Sequence, residues 1–120
     1  MNMTKKNILV EKTIDFSIRM VKCYKFLQEK NEYIMSKQMF RSGTSIGANI
    51  HEGIQGQSKA DFASKLGIAL KEASETSYWL VVLYKAEYLD EKAFVSLKND
   101  LDEIIRILIA TIKTTKKNMA

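Results

Sequence analysis

The sequence predicts an all-α protein, an antiparallel up-and-down four-helix bundle, on two observations. The chain has no Pro and only 5 Gly in 120 residues, so it lacks the punctuation of a sandwich or barrel. Its apolar residues recur at intervals of three and four in four separate stretches, as helices with one buried face require. A chain of this length makes one core, so residues 1–120 are read as a single domain, with short basic terminal segments expected to be flexible.

The first stretch begins between Ile8 and Thr13 and carries Phe16, Met20, Cys23 and Leu27 on one face. The second starts near Glu32 and runs toward His51 or Gly53, presenting Met35, Met39, Ile46 and Ile50 among Ser42, Gly43, Ser45, Gly47 and Ala48. Gly43 and Gly47 each cost a helix about 1 kcal/mol relative to Ala, so close packing or a local break must offset them. Gly53 to Gly56 reads as a turn, with Ser58 placed to cap the next helix and Asp61 in its first turn. The third stripe, Phe62, Leu66, Ala69, Ala73, Thr76, Leu80 and Leu83, is the longest regular one, widened by Trp79 and Val82. After Asp90 and Glu91 the fourth follows through Ala93, Leu97, Leu101, Ile104, Leu108 and Ile112.

Apolar residues beyond these stripes point to a second buried surface. Tyr78, Trp79, Tyr84, Ile105 and Ile109 are the candidate self-association interface. The formal net charge of +5 is uneven: residues 1–12 and 106–120 together carry +6, leaving −1 for everything between. Lys5, Lys6 and Lys12 at one end and Arg106, Lys113, Lys116 and Lys117 at the other are therefore the candidate nucleic-acid contacts, because clustered cations favour the approach of phosphate. The single Cys23 can form no intrachain bridge, no run of residues is apolar enough for a bilayer, and the N-terminus lacks a signal-peptide pattern, so a cytoplasmic protein without a membrane partner is expected.

Arg41, Ser45, Asn49 and Glu52 form a candidate structural polar cluster, since their donors and acceptors complement one another or nearby backbone groups. The rival reading takes Arg41 to phosphate and Asn49 or His51 to a base. No catalytic, metal or cofactor residue is predicted. Asp61, Glu72 and Glu75 lack the Glu-x-x-His companions of a bundle di-metal site, the serines have no specified base, and the glycines form no phosphate loop.

The run from Arg41 to Gly53, with its Ser45-Ile46, Asn49-Ile50 and Glu52-Gly53 pairs, resembles the bacterial 23S ribosomal RNA intervening-sequence proteins, also called S23 ribosomal proteins. Ser58 to Phe62, Ile68 to Ala73 and Glu75 to Leu80 extend the resemblance along nearly the full chain, although Gln57 stands where many relatives place Arg. The resemblance implies a four-helix protomer that assembles into a barrel-like homopentamer, an architecture shared with accessory proteins of retroelements. It also implies a noncatalytic function with RNA or a ribonucleoprotein as partner; the alternative is a protein-interaction or assembly adaptor that touches no nucleic acid.

Overall fold

The computed structural model describes residues 3–119 and contains four helices: α1 (Met3–Glu29), α2 (Met35–Ile54), α3 (Lys59–Lys85) and α4 (Glu91–Met119). Short turns force each helix back along the one before it. The result is the expected antiparallel square, in which the backbones of α1 and α3 each pack beside those of α2 and α4 and the diagonal pairs stand further apart. The bundle is a rod of 48 × 21 × 19 Å.

Every predicted member of the third stripe is buried, as are Phe16, Met20, Cys23 and Leu27 of α1 and Met39, Ile46 and Ile50 of α2. On α4 the buried face continues past Leu108 into Thr111 and Thr115, whose hydroxyls donate to the carbonyls of Ile107 and Thr111 at 2.7 Å. Bonding back into its own helix lets each threonine enter an apolar interior. Two boundaries differ from the sequence expectation. Helix α1 begins at Met3 rather than at Ile8 to Thr13, and the basic tail expected to be flexible is helical to Met119. Neither extension meets a Pro or Gly, and Thr115 anchors the second against the core.

Helix α2 runs unbroken through Gly43 and Gly47, because α1 packs closely against both. A β-carbon on Gly43 would lie 2.6 Å from Met20, and one on Gly47 would lie 3.2 Å from Thr13. The α1/α2 contact thus offsets the helix cost that the sequence left open. On the other side of α2, the buried Thr76 hydroxyl donates to Ser42 at 2.9 Å, tying α2 to α3. The looser α1/α4 seam is bridged by ion pairs, Lys12 to Glu103 at 2.8 Å and Arg19 to Asp100 at 2.6 Å.

The turns are closed by side chains. Ser58 caps α3, accepting from the Asp61 amide at 3.1 Å, and Asp90 caps α4, accepting from Ala93 at 2.7 Å. Ahead of α2 the buried carboxylate of Glu32 accepts amide hydrogens from Ile34, Met35 and Ser36 at 3.2, 3.2 and 2.6 Å. Helices α1 and α3 both end in a left-handed residue, Asn31 (φ 61°) and Glu87 (φ 68°). In each, the following amide reaches back to a carbonyl of the last turn, Glu32 to Leu27 and Tyr88 to Leu83.

Candidate nucleic-acid interface

Antiparallel alternation places the start of α1, the α2–α3 turn and the end of α4 at the same pole of the rod. Two basic segments about 100 residues apart in sequence therefore converge. Lys113, Lys116 and Lys117 are exposed over the last 10 Å or so of α4. Lys6 approaches from α1, its ammonium 5.1 Å from the ring centroid of Phe62. Lys59 joins them as the first residue of α3. Sequence reading did not single out Lys59, because its role depends on which pole the α2–α3 turn occupies.

Lys6 and Lys59 flank a cleft of about 300 Å³ that is also lined by Gln57, Ser58, Thr115 and Asn118. Two helix N-termini and two C-termini meet at this pole, so the macrodipoles largely cancel and the side chains set its sign. The nearby acids reduce the charge only in part: Asp61 sits in the first turn of α3, and Glu52 is paired with Lys65 at 3.0 Å.

The other predicted cations are placed differently. The side chain of Lys5 lies outside the described residues. Lys12 is two turns further along α1, its ammonium hydrogen-bonded to Glu103, which raises its pKa. Arg106 is exposed on α4 roughly 10 Å before Lys113.

Of the four residues of the predicted polar cluster, Arg41, Ser45 and Asn49 are linked in series along α2, while the side chains of Arg41 and Glu52 pair with α3. Arg41 crosses to α3, donating to Glu72 at 3.3 Å and Glu75 at 2.5 Å. Trp79 Nε1 donates to the same Glu75 oxygen at 3.2 Å. The hydrogen bond from Arg41, helped by that from Trp79, holds the Glu75 carboxyl below the usual carboxylate range. Ser45 donates to the Arg41 carbonyl at 2.6 Å and Asn49 to the Ser45 carbonyl at 2.8 Å, both within α2. Glu52 is one turn further on, with Lys65. The guanidinium of Arg41 is thus engaged by carboxylates, an arrangement that serves α2/α3 packing.

Of the predicted interface residues, Tyr78 and Ile109 are 60% and 52% exposed. Trp79 and Ile105 are half-buried against the core, and Tyr84 stacks on Phe94 with centroids 4.4 Å apart and planes at 8°. A second apolar surface escaped sequence reading. Val10, Ile14, Ile18 and Val21 line a groove of about 310 Å³ beside Gly47 and Ala48 of α2, with Ile14 54% and Ile18 48% exposed. The signal was a second stripe on α1 spaced by four, four and three, offset from the buried one. His51 borders this groove rather than the Arg41 contacts.

Among the described residues, no three His, Cys, Asp or Glu side chains converge as a metal site, and no helix is long and apolar enough to cross a membrane.

Residues 5–110 match the family described as 23S rRNA-intervening sequence protein. The chain belongs to that family. A crystal structure from the S23 ribosomal protein family, a protein of unknown function from Bacteroides thetaiotaomicron VPI-5482, is 53% identical, with 91% of this chain and 98% of that chain covered and a TM-score of 0.89. No match was found among curated proteins. Membership of the family extends over both helix pairs and includes Arg41 to Gly53, the segment whose small residues bring α1 and α2 together.

Proposed function

We propose that this protein is a noncatalytic, self-associating helical-bundle accessory factor of the cytoplasm that engages RNA, or a ribonucleoprotein, through its basic pole. The observation that carries the reading is the convergence of Lys6, Lys59, Lys113, Lys116 and Lys117 on one pole of a body that is otherwise close to neutral. Phosphate is the partner such a surface favours, through release of the counterions that phosphate holds. The family name, which ties its members to an intervening sequence of 23S rRNA, supports RNA over other polyanions.

Self-association is supported by the two apolar surfaces. The α1/α2 groove lies on one edge of the square, and Tyr78 and Ile109 are exposed on the other two helices, α3 and α4. Unlike patches on different helices pair head to tail, and such pairing closes into a ring when the rotation permits. The homopentamer implied by family resemblance is one such ring.

Titration of a 23S rRNA fragment at two salt concentrations tests the RNA reading. Affinity should fall steeply with salt, and replacing Lys113, Lys116 and Lys117 with Ala should weaken it while helicity and assembly mass stay unchanged. Absence of binding by the intact assembly overturns the reading. Sedimentation tests the assembly: Ile18→Lys and Ile109→Lys should each yield monomer, and a monomeric wild type refutes self-association. The adaptor reading draws on the same apolar groove and gains if the protein retains a protein partner through Ile14 and Ile18 yet binds no RNA.

A further inference from the structure

We infer that the basic pole takes double-stranded RNA by its backbone, rather than a single strand by its bases. The inference rests on the RNA reading above and narrows its ligand.

The first reason is what the pole lacks. Sequence-tolerant single-strand binders stack successive bases on exposed aromatic rings, an interaction worth about 1–3 kcal/mol per base. The aromatic residue closest to these lysines, Phe62, is 5% exposed and is covered by Lys6. The well-exposed rings are elsewhere. Phe26 and Tyr33 are at the opposite pole, and Tyr78 is 19 residues along α3 from Lys59, roughly 28 Å away along the helix. A base unstacked at this pole meets ammonium groups and amides, with no ring to receive it.

The second reason is charge density. A duplex presents a phosphate charge about every 1.7 Å of axis, roughly twice the density of one strand. The rod end is 21 × 19 Å across, wide enough to face both backbones flanking the broad, shallow minor groove of an A-form helix. The cations come from three separate elements, the start of α1, the start of α3 and the end of α4, so they are spread over the pole rather than threaded along one groove.

The third reason concerns the sugar. Gln57 and Asn118 are exposed at the cleft that Lys6 and Lys59 flank, and their amides both donate and accept. A ribose 2′-hydroxyl also does both, and it lines the minor groove of duplex RNA but is absent from DNA.

Fluorescence anisotropy on the intact assembly separates the possibilities, using a 20-base-pair RNA duplex, each of its strands alone in an unstructured sequence, and the DNA duplex of the same sequence. The RNA duplex should bind about tenfold tighter than either strand, whatever its sequence, and Lys116→Ala with Lys117→Ala should reduce the slope of log affinity against log salt by about 2. Gln57→Ala with Asn118→Ala should shrink the preference for RNA over DNA duplex. A single strand bound as tightly as the duplex overturns this inference and leaves the RNA reading standing. Equal affinity for DNA duplex overturns the 2′-hydroxyl assignment. Binding of none of the probes, with mass and helicity intact, overturns the RNA reading itself.

Discussion

Alanine in place of Gly43 tests the claim that backbone proximity between α1 and α2 offsets the helix cost of the glycines. An added β-carbon would stand 2.6 Å from both Cγ and Sδ of Met20, a fully buried side chain. Carbon contacts are comfortable at about 3.5–4.0 Å, so roughly 1 Å must open between the helices or Met20 must leave its rotamer. Overpacking of this kind costs about 1–3 kcal/mol, whereas the gain in helix propensity is about 1 kcal/mol. Gly67 provides the internal control. It also lies mid-helix, but a β-carbon there finds nothing within 4 Å, so Gly67→Ala should retain the propensity gain alone. Propensity cancels in the comparison, and Gly43→Ala should be less stable than Gly67→Ala by about 1–3 kcal/mol. Urea denaturation followed by helical circular dichroism measures this directly, and melting should separate the variants by at least about 4 °C. Adding Gly43→Ala to a Met20→Ala background should cost less than adding it to wild type, because the obstructing atoms are gone. Equal stabilisation by the two glycine substitutions would refute close approach as the reason for Gly43.

Three further outcomes follow from the turns and the core. Glu32→Ala removes the acceptor for three amides at the start of α2 and should cost about 2 kcal/mol in urea denaturation, with faster hydrogen exchange at Ser36; unchanged exchange there would count against the capping role. Glu87→Gly should raise stability by about 1 kcal/mol by relieving the left-handed backbone at the end of α3, and a loss would show that the Glu87 side chain contributes more than the strain costs. Burial pushes the Cys23 thiol up to about 11. At pH 8 its thiolate fraction, and so its rate with a disulfide reagent, should be lower in the folded than in the unfolded chain by about 100-fold. Because the folded value is the raised one, the unfolded chain deprotonates first as pH climbs, so Cys23 lowers stability only above about pH 9. Equal rates in both states would place Cys23 outside the core.

The bundle was legible because helices advertise their buried faces locally. Phe62 to Leu83 and Phe16 to Leu27 needed only the three-and-four spacing, and Ser58 announced a cap by its position before Asp61. Glu32 did not, because its capping reach depends on a left-handed turn at Asn31 that folds the carboxylate back onto the first amides of α2. The second stripe on α1, Ile14, Ile18 and Val21, was present in the sequence but offset from the stripe that dominates the helix.

The sequence by itself determined four helices, their inward faces, their order and the concentration of positive charge near both ends. Pattern and composition are properties of short segments, and the segments here are regular. Only tertiary structure decided what those ends do together. Antiparallel packing brought Lys6, Lys113, Lys116 and Lys117 to one pole, added Lys59 from the start of α3, and paired Lys12 with Glu103 on the side of the rod. It likewise committed Arg41 to Glu72 and Glu75, and Glu52 to Lys65. Charge acts across space rather than along the chain, so its meaning appeared only when the helices had chosen their neighbours.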